Sequence, residues 1–170
     1  MATLRNLRQD ARGFTLTEIM VTLVIFSIVV AISFPMLAEA NRNHQLLSAA
    51  SRIESALMRA RSTAVTQQTP VRVSFNGATN TLLLAQDTNR DGNFDTQMRT
   101  IIINGNILFA NIAFAGGNSV VFDQRGAPDN PGTVLLGNGG DNGQRILVAA
   151  GSGAVSVSSV PVYQETQPSY

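Results

Sequence analysis

Two places in this chain could carry chemistry: a single carboxylate at the mouth of an apolar run, and an oxygen-rich loop. Glu18 is followed by residues 19–36, eighteen in a row without a charge. Near a bilayer centre an acid costs roughly 2.5–3.5 kcal/mol, so a carboxylate kept there needs a role, such as pairing with a cation. At the headgroup boundary the same acid would be solvated and idle. The loop is Asp87-Thr88-Asn89-Arg90-Asp91-Gly92-Asn93-Phe94-Asp95. Asp87, Asn89, Asp91 and Asp95 fall at positions 1, 3, 5 and 9 of an EF-hand, Gly92 at position 6, and Asn93 at the position that offers a backbone carbonyl. Met98 stands where the bidentate glutamate belongs, so a Ca²⁺ bound here would be held weakly. Loops rich in Asp-Gly and Asn also arise from turn chemistry alone. Nothing else suggests a cofactor.

No catalytic set accompanies them. The chain has one histidine and no cysteine. Gly151-Ser152-Gly153 lacks the strand–turn–helix setting of a nucleophile elbow, and no phosphate-binding loop is present. A non-enzymatic protein is expected.

The elements that must position Glu18 are clear. Residues 19–36 are close to the roughly 20 needed to cross a bilayer as a helix. The hydroxyls of Thr22, Ser27 and Ser33 can bond back to that helix. Arg5, Arg8 and Arg12 precede it against one acid, Asp10, which predicts a cytoplasmic N-terminus and an outward C-terminus. Beyond Pro35 the pattern becomes amphipathic. Leu37, Ala40, His44, Leu47, Ala50, Ile53, Leu57, Ala60 and Ala64 recur at steps of three and four, and the helix is predicted to reach about Thr66, before Pro70. His44 reads as an edge packing residue.

From residue 68 onward the chain reads as β. Strands are predicted over 71–75, 81–85, 98–103, 119–122, 133–136, 144–149 and 154–157, with Asn76-Gly77 as a turn. Residues 107–114 fit a strand or a buried connection. Residues 158–170 read as a polar, loosely held tail. Short strands at this spacing indicate antiparallel sheets.

The segment Gly13-Phe14-Thr15-Leu16-Thr17-Glu18 resembles the N-terminal signal of type IV pilins and type II secretion pseudopilins. The resemblance implies cleavage by prepilin peptidase between Gly13 and Phe14, methylation of Phe14, and Glu18 forming an assembly salt bridge. It also implies a helix kink at Pro35. Residues 46–70, Val121-Phe122-Asp123-Gln124-Arg125-Gly126-Ala127-Pro128, and residues 145–157 resemble the narrower GspH/FimT group. The implied fold is α+β and pilin-like: a long N-terminal helix, transmembrane in its first half, packed on a small antiparallel β head. The expected division is a leader (1–13), a membrane half of the helix (14–37), an amphipathic half (38–67) and a periplasmic head (68–170).

The same resemblance implies a minor pseudopilin in the tip complex of a type II secretion pseudopilus, or a minor pilin of a type IV pilus. Its partners would be other subunits through the N-terminal helix, the peptidase and an inner-membrane assembly platform. The charge balance argues against nucleic acid. Twelve arginines face eleven acids, but the leader holds three of the arginines and one acid, leaving nine against ten. Members of the FimT group that take up DNA carry Gly-Arg-x-Arg near the C-terminus; the matching positions here are Gly153-Ala154-Val155-Ser156, without either arginine.

Overall fold

The computed structural model describes residues 13–103 and 105–162. Residues 1–12 of the expected leader and residues 163–170 lie outside them, as does the side chain of Pro35. By contacts the chain divides into two units, Met1–Ala40 and Asn41–Tyr170.

Helix α1 spans Leu16–Gln67. Its start is set by Thr15, whose Oγ1 accepts the Glu18 amide at 3.2 Å. Thr15 is thus the N-cap and Glu18 the third helical residue, the spacing of a capping box. The acid also lies where the helix dipole favours negative charge. Within the first unit every described side chain from Gly13 to Phe34 is exposed. Leu23, Phe26, Ile32 and Phe34 are 62–72% exposed. A helix that is apolar on all sides needs lipid or other helices around it, and this one is long and apolar enough to cross a membrane. Thr22 Oγ1, Ser27 Oγ and Ser33 Oγ donate to the carbonyls of Glu18, Val24 and Val29 at 2.5–2.8 Å. The polar groups of the run are satisfied within the helix, as the sequence predicts.

Within the second unit the helix buries Leu46, Ala49, Ala50, Ile53, Ala56 and Leu57, then Ala60 and Ala64. The stripe from Ala50 onward is as predicted; above it the prediction needs correcting. Leu47 is half exposed and His44 is exposed, while Leu46 is buried. Two adjacent leucines fit the period almost equally, and only the position of the sheets selects Leu46. Each fully buried Leu or Ile contributes roughly 1.5–3 kcal/mol, which holds this half of the helix to its sheets. The helix ends in a Schellman motif: Gln68 takes φ +55° and the Thr69 amide reaches back to the Ala64 carbonyl at 3.2 Å. Gln68 Nε2 covers the Val65 carbonyl at 2.8 Å. The chain has therefore left the helix before Pro70.

Eight strands follow: β1 (Val71–Asn76), β2 (Thr81–Gln86), β3 (Thr96–Ile102), β4 (Leu108–Phe114), β5 (Ser119–Phe122), β6 (Gly132–Gly137), β7 (Asn142–Val148) and β8 (Val155–Pro161). They form two four-stranded sheets, in the orders β3-β2-β1-β5 and β4-β6-β7-β8. Every pairing is antiparallel. The segment 107–114 is mostly strand, led in by the buried Ile107. The turn after β1 is longer than Asn76-Gly77 suggests. Asn76 closes the strand and its Oδ1 accepts the amides of Ala78 and Thr79, while Asn80 takes the left-handed conformation at φ +49°.

The loose tail needs correcting too. Residues 158–161 belong to β8, which pairs with β7 from Val148↔Val155 to Asn142↔Pro161. One core joins the helix stripe to both sheets. Phe75 of β1 stacks on Phe114 of β4 at 5.3 Å and meets Phe109 edge-on at 5.9 Å, which ties the sheets together.

Candidate functional site

The N-terminal group is described from Gly13 onward. Gly13, Phe14 and Glu18 are all exposed, Phe14 at 78%. Glu18 thus presents its carboxylate to whatever surrounds the first unit, while its own amide is held by Thr15. The role of Thr15 was missed in the sequence, although Thr15-x-x-Glu18 is a legible capping signal. Pro35 lies inside α1, which continues through it.

The acidic loop connects β2 to β3. Asp87 is almost fully buried, at 3% exposure. Its Oδ1 accepts the Asp91 amide at 3.2 Å and its Oδ2 the Gly92 amide at 3.0 Å. Its own amide donates to the Pro70 carbonyl at 3.1 Å, pinning the loop beside the helix exit. Asp91 accepts the Asn93 amide at 2.7 Å, and this bond holds its carboxyl below the ordinary value; the Asn89 side chain adds a second donor at 2.9 Å. Arg90 and Gly92 have positive φ, and the Arg90 guanidinium donates to the Gln68 carbonyl at 3.0 Å.

Among the described residues no three His, Cys, Asp or Glu side chains are placed to hold a metal. The hydrogen bonds among Asp87, Asn89, Asp91 and Asn93 are those that turn chemistry makes, and Asp95 is exposed. Asp87, the first ligand of the EF-hand pattern, is engaged by two amides. The loop also carries an aromatic, Phe94, that sequence pattern does not single out. The Arg72 guanidinium carbon lies 3.9 Å from the centre of the Phe94 ring, a cation–π contact.

The three stretches that resemble the GspH/FimT group meet at one junction. Asp123 organises the mid-head loop: its Oδ1 accepts the amides of Arg125 and Ala127 at 2.9 and 2.8 Å, and its own amide donates to the Ala127 carbonyl. That loop turns Gly126, at φ +79°, towards the helix exit. There Arg61 Nε donates to the Gly126 carbonyl at 3.1 Å. Gly153, from the third stretch, packs on the same carbonyl so closely that a Cβ would stand 2.4 Å from it.

Neither glycine could carry a side chain, because each combines positive φ with a close neighbour. The motif is thus a structural lock between helix, mid-head loop and the β7–β8 turn. Arg61 is the residue that sequence reading missed, since it looks like one more solvated charge on the polar helix face. Ser152 sits in the β7–β8 turn with its Oγ accepting the Ala154 amide, a turn role rather than a nucleophile's. Ala154 and Ser156, where DNA-uptake members carry arginines, are exposed.

Comparison with known proteins follows this geometry. Residues 49–153 match the family described as type II transport protein GspH, and residues 8–34 match the prokaryotic N-terminal methylation motif. No curated protein matches the chain. The type IV minor pilin FimU of Pseudomonas aeruginosa is similar in fold, with a TM-score of 0.55 at 17% identity, over 71% of this chain and 92% of that one. So is the minor pseudopilin EpsH from the type 2 secretion system of Vibrio cholerae, with a TM-score of 0.51 at 13% identity, over 68% and 97%. With the GspH match covering more than half of its length and a pilin-like α+β fold beneath it, the chain belongs to the GspH family of type II transport proteins, non-enzymatic subunits that assemble as type II secretion pseudopilins or type IV minor pilins.

Proposed function

We propose that this chain is a minor pseudopilin of a type II secretion pseudopilus, acting in its tip complex. It is made as a precursor, cut by prepilin peptidase after Gly13 and methylated on Phe14. It waits in the inner membrane through residues 14–37, with its head in the periplasm, until the assembly platform extracts it into the filament. There Glu18 pairs with the amine of a neighbouring subunit's N-terminal residue. The observation that supports this best is the joint match of residues 8–34 to the methylation motif and 49–153 to the GspH family. The exposed apolar first unit supports the membrane step. Intact-mass measurement on the protein purified from its own cells tests the reading. The expected species has lost thirteen residues and gained a methyl group. A chain retaining residues 1–13, or cut beyond Phe34, overturns it.

The second reading is a minor pilin of a type IV pilus, favoured by the fold similarity to FimU, at least as close as that to EpsH. Deletion of the gene separates the two: loss of protein secretion with surface pili intact supports the pseudopilus, and the reverse supports the pilus.

A further inference from the structure

The second unit holds a cationic trough that the family lock does not use. Sheet order places β3 at an edge, with one side of its backbone unpaired by any neighbouring strand. Beside it Arg52, Arg59 and Arg99 line a recess of about 540 Å³ together with Ser48, Ser51 and Ser55. The floor is apolar: Ala56, Leu84 and Ile101. A second recess of about 470 Å³ shares Ser48 and Arg52 with it and continues to His44 and Ile103. From His44 to Arg59 the trough follows the helix for about 22 Å at 1.5 Å per residue. Among the described residues, no acidic side chain pairs with Arg52, Arg59 or Arg99. Arg99 and Ile101 alternate along β3 and Ile103 follows directly after its end, so the three line the trough on one side.

We infer that this trough binds an extended acidic segment of a partner polypeptide, laid along the free edge of β3. Three features select that occupant. First, guanidinium forks match carboxylates in two-point contacts, and the hydroxyls of Ser48 and Ser51 supply further donors. Second, about seven residues of extended chain, at roughly 3.3 Å each, span the trough, and strand addition would turn every second side chain into it. Third, the floor accepts aliphatic stems but offers no aromatic platform, which single-stranded nucleic acid would need for base stacking. A duplex, convex and about as wide as the trough is long, could touch its rim but not enter it. The inference extends the filament-subunit reading, yet its test does not depend on assembly or on cleavage after Gly13.

The probe is a fluorescent seven-residue peptide alternating Glu and Thr, titrated against the full chain in neutral detergent micelles. Saturable binding is expected at low salt, weakening as salt rises. Replacing every Glu of the peptide by Gln should abolish it. Arg52→Gln, Arg59→Gln and Arg99→Gln should each weaken it about fivefold, the size of one exposed ion pair. Arg125→Gln, on another loop, should leave it unchanged. All four arginines are exposed, so the single variants keep the fold, and an unchanged melting temperature verifies that. Equal binding of the Gln peptide, or indifference to all three arginine substitutions, overturns the inference. So does tighter binding, through the same arginines, of a short DNA duplex or of phosphatidylglycerol vesicles.

Discussion

Replacing Gly153 by alanine should break the lock between the helix exit and the head, and the size of the effect follows from the geometry. Gly153 has φ +63°, where an L-residue costs roughly 1–2 kcal/mol. An added Cβ would lie 2.4 Å from the Gly126 carbonyl oxygen and 3.3 Å from Arg61 Nε. The carbonyl must retreat, and retreat draws it away from Arg61, whose part-buried bond to it is 3.1 Å long. A hydrogen bond to a charged donor contributes roughly 1.5–3 kcal/mol. The expected loss is therefore about 2.5–5 kcal/mol.

Gly151 is the control. It has φ +71°, but a Cβ there meets nothing within 4 Å, so Gly151→Ala carries the backbone cost alone. At about 4 °C per kcal/mol for a folded unit of this size, Gly151→Ala should lower the melting temperature by about 4–8 °C and Gly153→Ala by about 10–20 °C. Circular dichroism of the full chain in detergent, followed in the β-sheet band, reads both. In an Arg61→Ala background the extra loss at Gly153 should shrink, because the bond it breaks is already gone. A Gly153→Ala chain melting within about 2 °C of Gly151→Ala would refute the reasoning, since contact with Gly126 would then contribute nothing.

Two further outcomes are expected. Glu18→Gln keeps the side-chain acceptor of a capping box but removes the charge; it should insert in the membrane normally yet fail to enter filaments, because an unpaired buried partner costs about 3–5 kcal/mol. Normal incorporation of that variant would reduce Glu18 to a helix-capping residue. For the β2–β3 loop, millimolar Ca²⁺ should leave the melting temperature unchanged, whereas Asp87→Ala should lower it whether or not calcium is present, since two backbone amides lose a buried acceptor. Stabilisation by Ca²⁺ that disappears with Asp91→Asn would establish the metal reading instead.

The boundaries legible in the sequence were those set by local physics. The first half of α1 could be read because an uninterrupted apolar run has few alternatives, and the strands because alternation and turn residues bracket them. What escaped depended on partners distant in sequence. Leu46 and Leu47 are indistinguishable until a sheet lies against one of them. Ser158 and Ser159 look like a tail, but β7 offers a free edge, and its amides and carbonyls hold them in a strand. The division of eight strands between two sheets is non-local by nature. Among the candidate residues, Glu18 stands out in the sequence by its apolar setting. Arg52 and Arg59 do not, because on a helix they look like ordinary solvated charges, far in sequence from Arg99, which the fold brings alongside.

The arrangement explains how a chain with so recognisable a motif can lack any catalytic group. Asp123, Gly126 and Gly153 are constrained as tightly as active-site residues often are, but each constraint is met inside the protein: Asp123 by two amides, Gly126 by Arg61, and Gly153 by the Gly126 carbonyl. A motif whose groups bond to one another in this way fixes the head against the second half of the helix. The groups left over are of another kind. Among the described residues they are an exposed apolar helix, a carboxylate at that helix's start, and three arginines beside an unpaired strand edge. On the readings proposed above, each is completed by another molecule: lipid or helices for the first, a cation for the second, acidic polypeptide for the third. That is the pattern of a subunit built for assembly, with its internal contacts closed and its outward contacts open.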